Sequence, residues 1–123
     1  MRKILLLASV VLCLGVSTAF AQDVMAVAGG AETHKVLVDN EQVRVLDVHI
    51  KPGQKIGMHS HPANVVYFDT DGKMKVTYPD GKTEERDLKA GTAVSRGPLT
   101  HAVENVGNAE IHLVQTEMKG TAK

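Results

Sequence analysis

What most limits this chain is the rhythm of its breakers. Past the first two dozen residues, no segment of ten or more keeps its apolar residues on a clean helical period. Instead, short β-branched runs are cut at intervals of about eight to twelve residues by Gly, Pro, Asn and Asp. Val36 to Val38 ends at Asp39-Asn40. Val43 to Ile50 ends at Lys51-Pro52-Gly53, and Val65 to Phe68 at Asp69-Thr70-Asp71-Gly72. Lys73 to Tyr78 alternates charged and apolar residues, and Pro79-Asp80-Gly81 turns it into Thr83 to Leu88, so residues 73–88 are predicted as a hairpin with a charged outer face. Thr92 to Ser95, His101 to Val106 and Glu110 to Met118 complete the series. The expectation is an all-β sandwich or small barrel of about eight or nine antiparallel strands.

The N-terminus has a different character. Arg2 and Lys3 precede an apolar run from Ile4 to Gly15, and Ala19-Phe20-Ala21 places small residues before a cleavage at Gln22. That order reads as a secretory signal peptide over residues 1–21, with a periplasmic or secreted product and no membrane attachment after cleavage. The remaining 102 of the 123 residues suffice for one domain. Residues 22–34, small and Gly/Ala-rich, are expected as a flexible leader or edge strand, and residues 35–119 as the folded domain.

Loss of Arg2 and Lys3 leaves twelve basic residues against fourteen acidic ones, which offers no field for nucleic acid. Cys13 is the only cysteine and leaves with the signal, so disulfides, thiolate nucleophiles and cysteine ligands are excluded from the mature chain. Valines 43 and 45 lie on the face opposite Leu46, Val48 and Ile50, making one sheet apolar on both sides and pointing to a homodimer.

The chemistry-bearing feature is His59-Ser60-His61. On an extended segment, residues i and i+2 share a face about 7 Å apart, from which two imidazoles can reach one cation. Gly53 stands six positions before His59 and Pro62 follows the pair; forty residues beyond His61, His101 opens a His-x3-Asn unit with Asn105.

This Gly-x5-His-x-His pattern followed by His-x3-Asn resembles the two motifs of the cupin superfamily, over roughly Lys35 to Lys119. The resemblance implies a jelly-roll barrel of the RmlC-like kind in which His59, His61 and His101 converge on a divalent metal. Many cupins also carry a glutamate with three or four residues intervening after the second histidine; Val65 and Val66 occupy those positions here, and Asn64 is the nearest polar residue. Gly97-Pro98-Leu99 likewise replaces a Pro-x-Gly segment. Three imidazoles suit Fe, Zn, Ni or Cu, and leave a dication with open positions for a small anionic ligand such as an enolate or carboxylate. Three readings follow: a metal-dependent oxygenase or isomerase, a non-catalytic metal- or ligand-binding module, and a structural barrel that has lost its metal. Asn64, Tyr67 and Asn105 are the candidate pocket residues. His49 is expected to be structural or interfacial, His34 and His112 to lie at the surface or an edge, and Met58 to be pocket filler.

Overall fold

The structure, a computed structural model, describes residues 22–120. The expected signal peptide at 1–21 lies outside the described residues. Among the described residues nine strands follow one another: β1 (His34–Asp39), β2 (Val43–Ile50), β3 (Lys55–His61), β4 (Asn64–Phe68), β5 (Gly72–Thr77), β6 (Thr83–Leu88), β7 (Thr92–Arg96), β8 (Leu99–Asn105) and β9 (Ile111–Met118). They form a five-stranded sheet in the order β1-β2-β9-β4-β7, facing a four-stranded sheet in the order β3-β8-β5-β6. Every pairing between these strands is antiparallel. This is the all-β sandwich that the strand rhythm predicts, in the jelly-roll arrangement that the cupin resemblance implies. Within it, β5 and β6 make the expected hairpin, from Gly72 opposite Leu88 to Thr77 opposite Thr83, and Gly81 takes a positive φ of 86° in its turn.

The inner faces are graded from one end to the other, and that gradient positions the site. Along β9 the inward residues are Ile111, Leu113, Gln115 and Glu117, all buried. On β4 they run from Val66 to Asn64, on β8 from Val103 to His101, and on β3 from Ile56 to His59 and His61. One end of the sandwich is thus a dry core of Val48, Ile50, Val76, Ile111 and Leu113, while the other end is buried but polar. Each fully buried aliphatic side chain of the dry end stabilises the fold by roughly 1.5–3 kcal/mol, which supports the costlier polar end.

Residues 22–34 differ from the expected flexible leader or edge strand. They form a 3-10 turn (Val24–Ala26) and one turn of helix (Gly30–Thr33), and Val24 is fully buried in the core. Backbone hydrogen bonds from Gly57 N to Ala28 O (2.8 Å) and from Ser60 N to Gln22 O (2.7 Å) fasten the segment along β3. Before β1 begins at His34, strand character survives only as an isolated parallel bridge between Asp23 and Ser60. The small residues that read as looseness are there for close approach: a Cβ on Gly29 would lie 2.0 Å from Lys55 O, and one on Gly30 would lie 1.7 Å from Val24 O. Within the described residues, packing against the barrel therefore extends back from Lys35 to Gln22.

Candidate metal centre

His59 and His61 reach the cavity from β3, and His101 from the neighbouring strand β8, where it stands directly opposite His59. Simple alternation from Ile56 would turn His59 outward. A register shift between Ile56 and His59 corrects this: three steps along β3 match two along β8, so both residues face inward. Gly57 lies in that irregular stretch, and its carbonyl accepts a hydrogen bond from His59 Nδ1 at 2.7 Å. Met58, beside it, is turned outward and partly exposed.

All three histidines are buried, and their ligating nitrogens lie within 4.8 Å of one another. The rings are steeply inclined to each other, with centroids 4.6–5.5 Å apart and interplanar angles of 67–89°. Their tautomers are fixed by what surrounds them. A carbonyl or carboxylate oxygen can only accept, so Nδ1 of His59 donates to Gly57 O, and Nδ1 of His61 donates to Glu117 Oε2 at 2.7 Å. Both rings therefore keep Nε2 free for the cavity. Glu117 in turn accepts from Arg44 Nε at 2.5 Å, and Arg44 Nη2 donates to Asp23 at 2.6 Å.

Around this cluster lies a cavity of about 150 Å³, walled by apolar side chains such as Val48, Ile56, Val66 and Val103. His34, Arg96 and Gln115 also line it.

Residues 46–116, more than half of the chain, match the family model of the cupin domain. The chain belongs to the cupin family. Solved structures agree in fold. A cupin domain protein from Bordetella pertussis Tohama I is 30% identical with a TM-score of 0.66, over 71% of this chain and 92% of that one. A cupin-like protein from Thermotoga maritima is 27% identical with a TM-score of 0.56, over 73% of this chain and 72% of that one. No curated protein sequence matches the chain.

The donor set of this cupin fits a metal. Three inward imidazoles, two of them anchored through Nδ1, form an all-nitrogen face of the kind that borderline divalent ions take. The Glu117–His61 contact is the carboxylate–histidine pairing that orients a ligand and raises its basicity. Glu117 lies directly across the β4–β9 ladder from Asn64, the residue nearest the missing motif glutamate. A carboxylate is thus present beside the site, but it is engaged with His61 Nδ1 and, among the described residues, does not join the three histidines as a ligand.

The structure does not bring the other sequence candidates to the cavity. Tyr67 is 45% exposed on the outer face of the five-stranded sheet. Asn64 is buried but spends its amide on Pro62 O and its oxygen on Arg96 Nε (3.3 Å). Asn105 donates to Ile50 O and Ala109 O and accepts from Gly107 N, so it locks the β8–β9 turn. His34, expected at the surface or an edge, is buried on the cavity wall. Its Nδ1 donates to Gly30 O (3.1 Å) and to the Thr33 hydroxyl (2.8 Å), which itself donates to Gly29 O. Sequence reasoning missed Glu117, Gln115 and Arg96. The available signal was polar residues continuing the inward register of Ile111 and Leu113.

Burial is the largest cause that pushes His34 and His59 down to about 4 and His101 to about 2. In the metal-free protein these rings stay neutral in the folded state, while the unfolded chain takes up protons near the ordinary histidine value of 6.5. Between pH 6.5 and about 4 the unfolded state binds more protons, so folding stability falls as pH falls through that window. Urea melts of the metal-free protein at pH 7 and pH 5 should differ by on the order of a few kcal/mol, with the acid sample the weaker. Equal midpoints would mean that the rings are not desolvated.

Proposed function

We propose that this cupin is exported, holds one divalent transition metal on His59, His61 and His101, and acts there on a small oxyanion as an oxygenase or isomerase. The observation that carries the reading is what faces the histidines. Arg96 lines the cavity with no carboxylate partner among the described residues, and burial holds its pKa below the usual arginine value. Gln115 Nε2 is the one buried side-chain polar atom without a hydrogen-bond partner among the described residues. A cation and an orphaned donor on an otherwise apolar wall call for an acceptor-rich, negatively charged guest. The bound metal would supply Lewis acidity and open positions for such a guest. Arg96 and Gln115 would orient its oxygens, and the aliphatic walls would exclude bulk water.

A non-catalytic metal- or ligand-binding module is the second reading. It is favoured by the scarcity of acid–base groups: among the described lining residues the only carboxylate is Asp87, whose side chain is 86% exposed. The outer face of the five-stranded sheet bears Val38, Val65, Tyr67 and Met118, all partly exposed, which supports a homodimer through that face.

Elemental analysis of the purified protein tests the metal, with light scattering of the same sample for the dimer. Stoichiometric Fe, Zn, Ni or Cu is expected, and oxalate should bind the loaded protein but at least about tenfold more weakly after Arg96→Gln. Failure to take up any of the four ions on reconstitution would sink the metal-dependent reading. Oxygen uptake with candidate oxyanions then separates an oxygenase from a binder.

A further inference from the structure

A second cluster of histidines and carboxylates stands on the outer face of the five-stranded sheet, at the opposite end of β2 and β9 from Val43 and Met118. His49 and His112 are direct cross-strand neighbours, and Asp47 shares their face two residues before His49. Side chains directly opposite on antiparallel strands start only about 5 Å apart at Cβ, close enough to share one ion.

The bonding around these residues is specific. His49 Nδ1 donates to Glu110 Oε1 at 2.7 Å, and His112 Nδ1 donates to Asp69 Oδ2 at 2.8 Å. Both Nε2 atoms turn to Asp47: His112 Nε2 to Oδ1 at 2.7 Å, and His49 Nε2 to Oδ2 at 3.4 Å. The rings stack with centroids 4.1 Å apart and an interplanar angle of 11°. Asp69 is itself held in place, because its N–H donates to His112 O and the neighbouring Thr70 hydroxyl accepts from His112 N.

We propose that Asp47, His49 and His112 form a second divalent metal site, with Glu110 and Asp69 as the carboxylates that orient the two imidazoles. The three ligand atoms lie within 4.8 Å of one another. Each histidine is anchored through Nδ1 and presents Nε2, as metal-bound histidines do. With neutral rings the five residues carry three negative charges, a field that attracts a dication. The Nε2 contacts to Asp47 mark where the cation would enter, between the carboxylate and the two rings. Two nitrogens and one carboxylate oxygen suit Zn, Ni or Cu better than Mg or Ca. The ligands are part-exposed, so water completes the shell and the site exchanges with solvent ions, unlike the buried triad. The proposal does not depend on the barrel centre holding metal.

Zinc titration of the full protein by calorimetry against a competing chelator tests it, beside His49→Ala, Asp47→Asn and His101→Ala. Two ions per chain are expected for the parent. His49→Ala and Asp47→Asn should each weaken only the surface ion, by at least about tenfold, and Glu110→Gln by about 10-fold as an orienting group. His101→Ala should spare it. Copper(II) loaded into His101→Ala should show nitrogen coupling in its paramagnetic resonance spectrum, lost on adding His49→Ala. If the parent binds one ion that disappears with His101→Ala, the surface site does not exist. If the single ion disappears with His49→Ala instead, the surface site stands and the barrel reading falls. No zinc uptake at all overturns both. Unchanged circular dichroism and melting of the surface variants would separate lost ligands from lost fold.

Discussion

Arg44→Ala should cost the fold about 3 kcal/mol, far more than an arginine at a sheet surface normally would. The reason lies in the carboxylate it holds. Glu117 has a side-chain exposure of 2%, and Arg44 only 17%. Burial alone would push the Glu117 carboxyl up; the hydrogen bonds from His61 and Arg44 outweigh that and keep it below the ordinary carboxylate value. Without the guanidinium, an anion remains in a dry site with one neighbour. Removing one member of a buried pair typically costs about 3–5 kcal/mol, and the partial exposure of Arg44 puts this case at the lower end. Arg44 also binds Asp23, so its loss releases the start of the leader from β2. The expected observations are a lower urea midpoint at unchanged m-value and faster proteolysis around residues 22–30. Arg44→Met combined with Glu117→Gln should recover part of the loss, because the buried charge goes with its partner. A cost below about 1 kcal/mol for Arg44→Ala would mean that the pair behaves as an ordinary surface ion pair.

The elements readable in the chain were those whose signal is local. β2 spans Val43–Ile50 as its β-branched run predicts, and the β5–β6 hairpin follows from Pro79-Asp80-Gly81. The histidine motif was legible because two of its members stand two residues apart in sequence and the third sits at a fixed place in a second motif. The link between the motifs was not legible: Gly53 N donates to Asn105 O at 2.9 Å, closing one end of the β3–β8 pair. The bulge at Gly57 also escaped, since alternation alone misplaces His59 and only pairing with β8 reveals the extra residue.

The misreadings have a shared origin. His34, Asp23 and Glu117 meet the site through contacts across β1, β2 and β9, and no local pattern encodes a sheet order of β1-β2-β9-β4-β7. A polar residue at Glu117 looks like a strand end entering water until the facing sheet is known. Residues 22–34 look loose because glycine and alanine are read as freedom, whereas here Gly29 and Gly30 admit a backbone too close for any side chain.

His101→Ala should abolish stoichiometric metal in the barrel, and Glu117→Gln should weaken it by about 10- to 100-fold. The two effects differ because the residues act at different distances from the ion. His101 is the only member of the triad supplied by β8, and His59 and His61 alone leave a two-coordinate face open to one side. Glu117 would touch no metal; it fixes His61 with Nδ1 donating and Nε2 inward, and its charge makes that nitrogen a stronger donor. Glutamine keeps an oxygen that accepts from Nδ1 but loses the charge, whereas Glu117→Ala loses both. Competition titrations with one chelator, run on the parent and the three variants, should therefore order the affinities as parent, Glu117→Gln, Glu117→Ala, His101→Ala. Equal loss in the two Glu117 variants would assign the whole effect to charge, and a Gln variant indistinguishable from the parent would assign it to orientation. If His101→Ala retained full stoichiometry while both Glu117 variants lost the ion, Glu117 would itself be a ligand, and the motif carboxylate would have moved from β4 to the neighbouring strand β9.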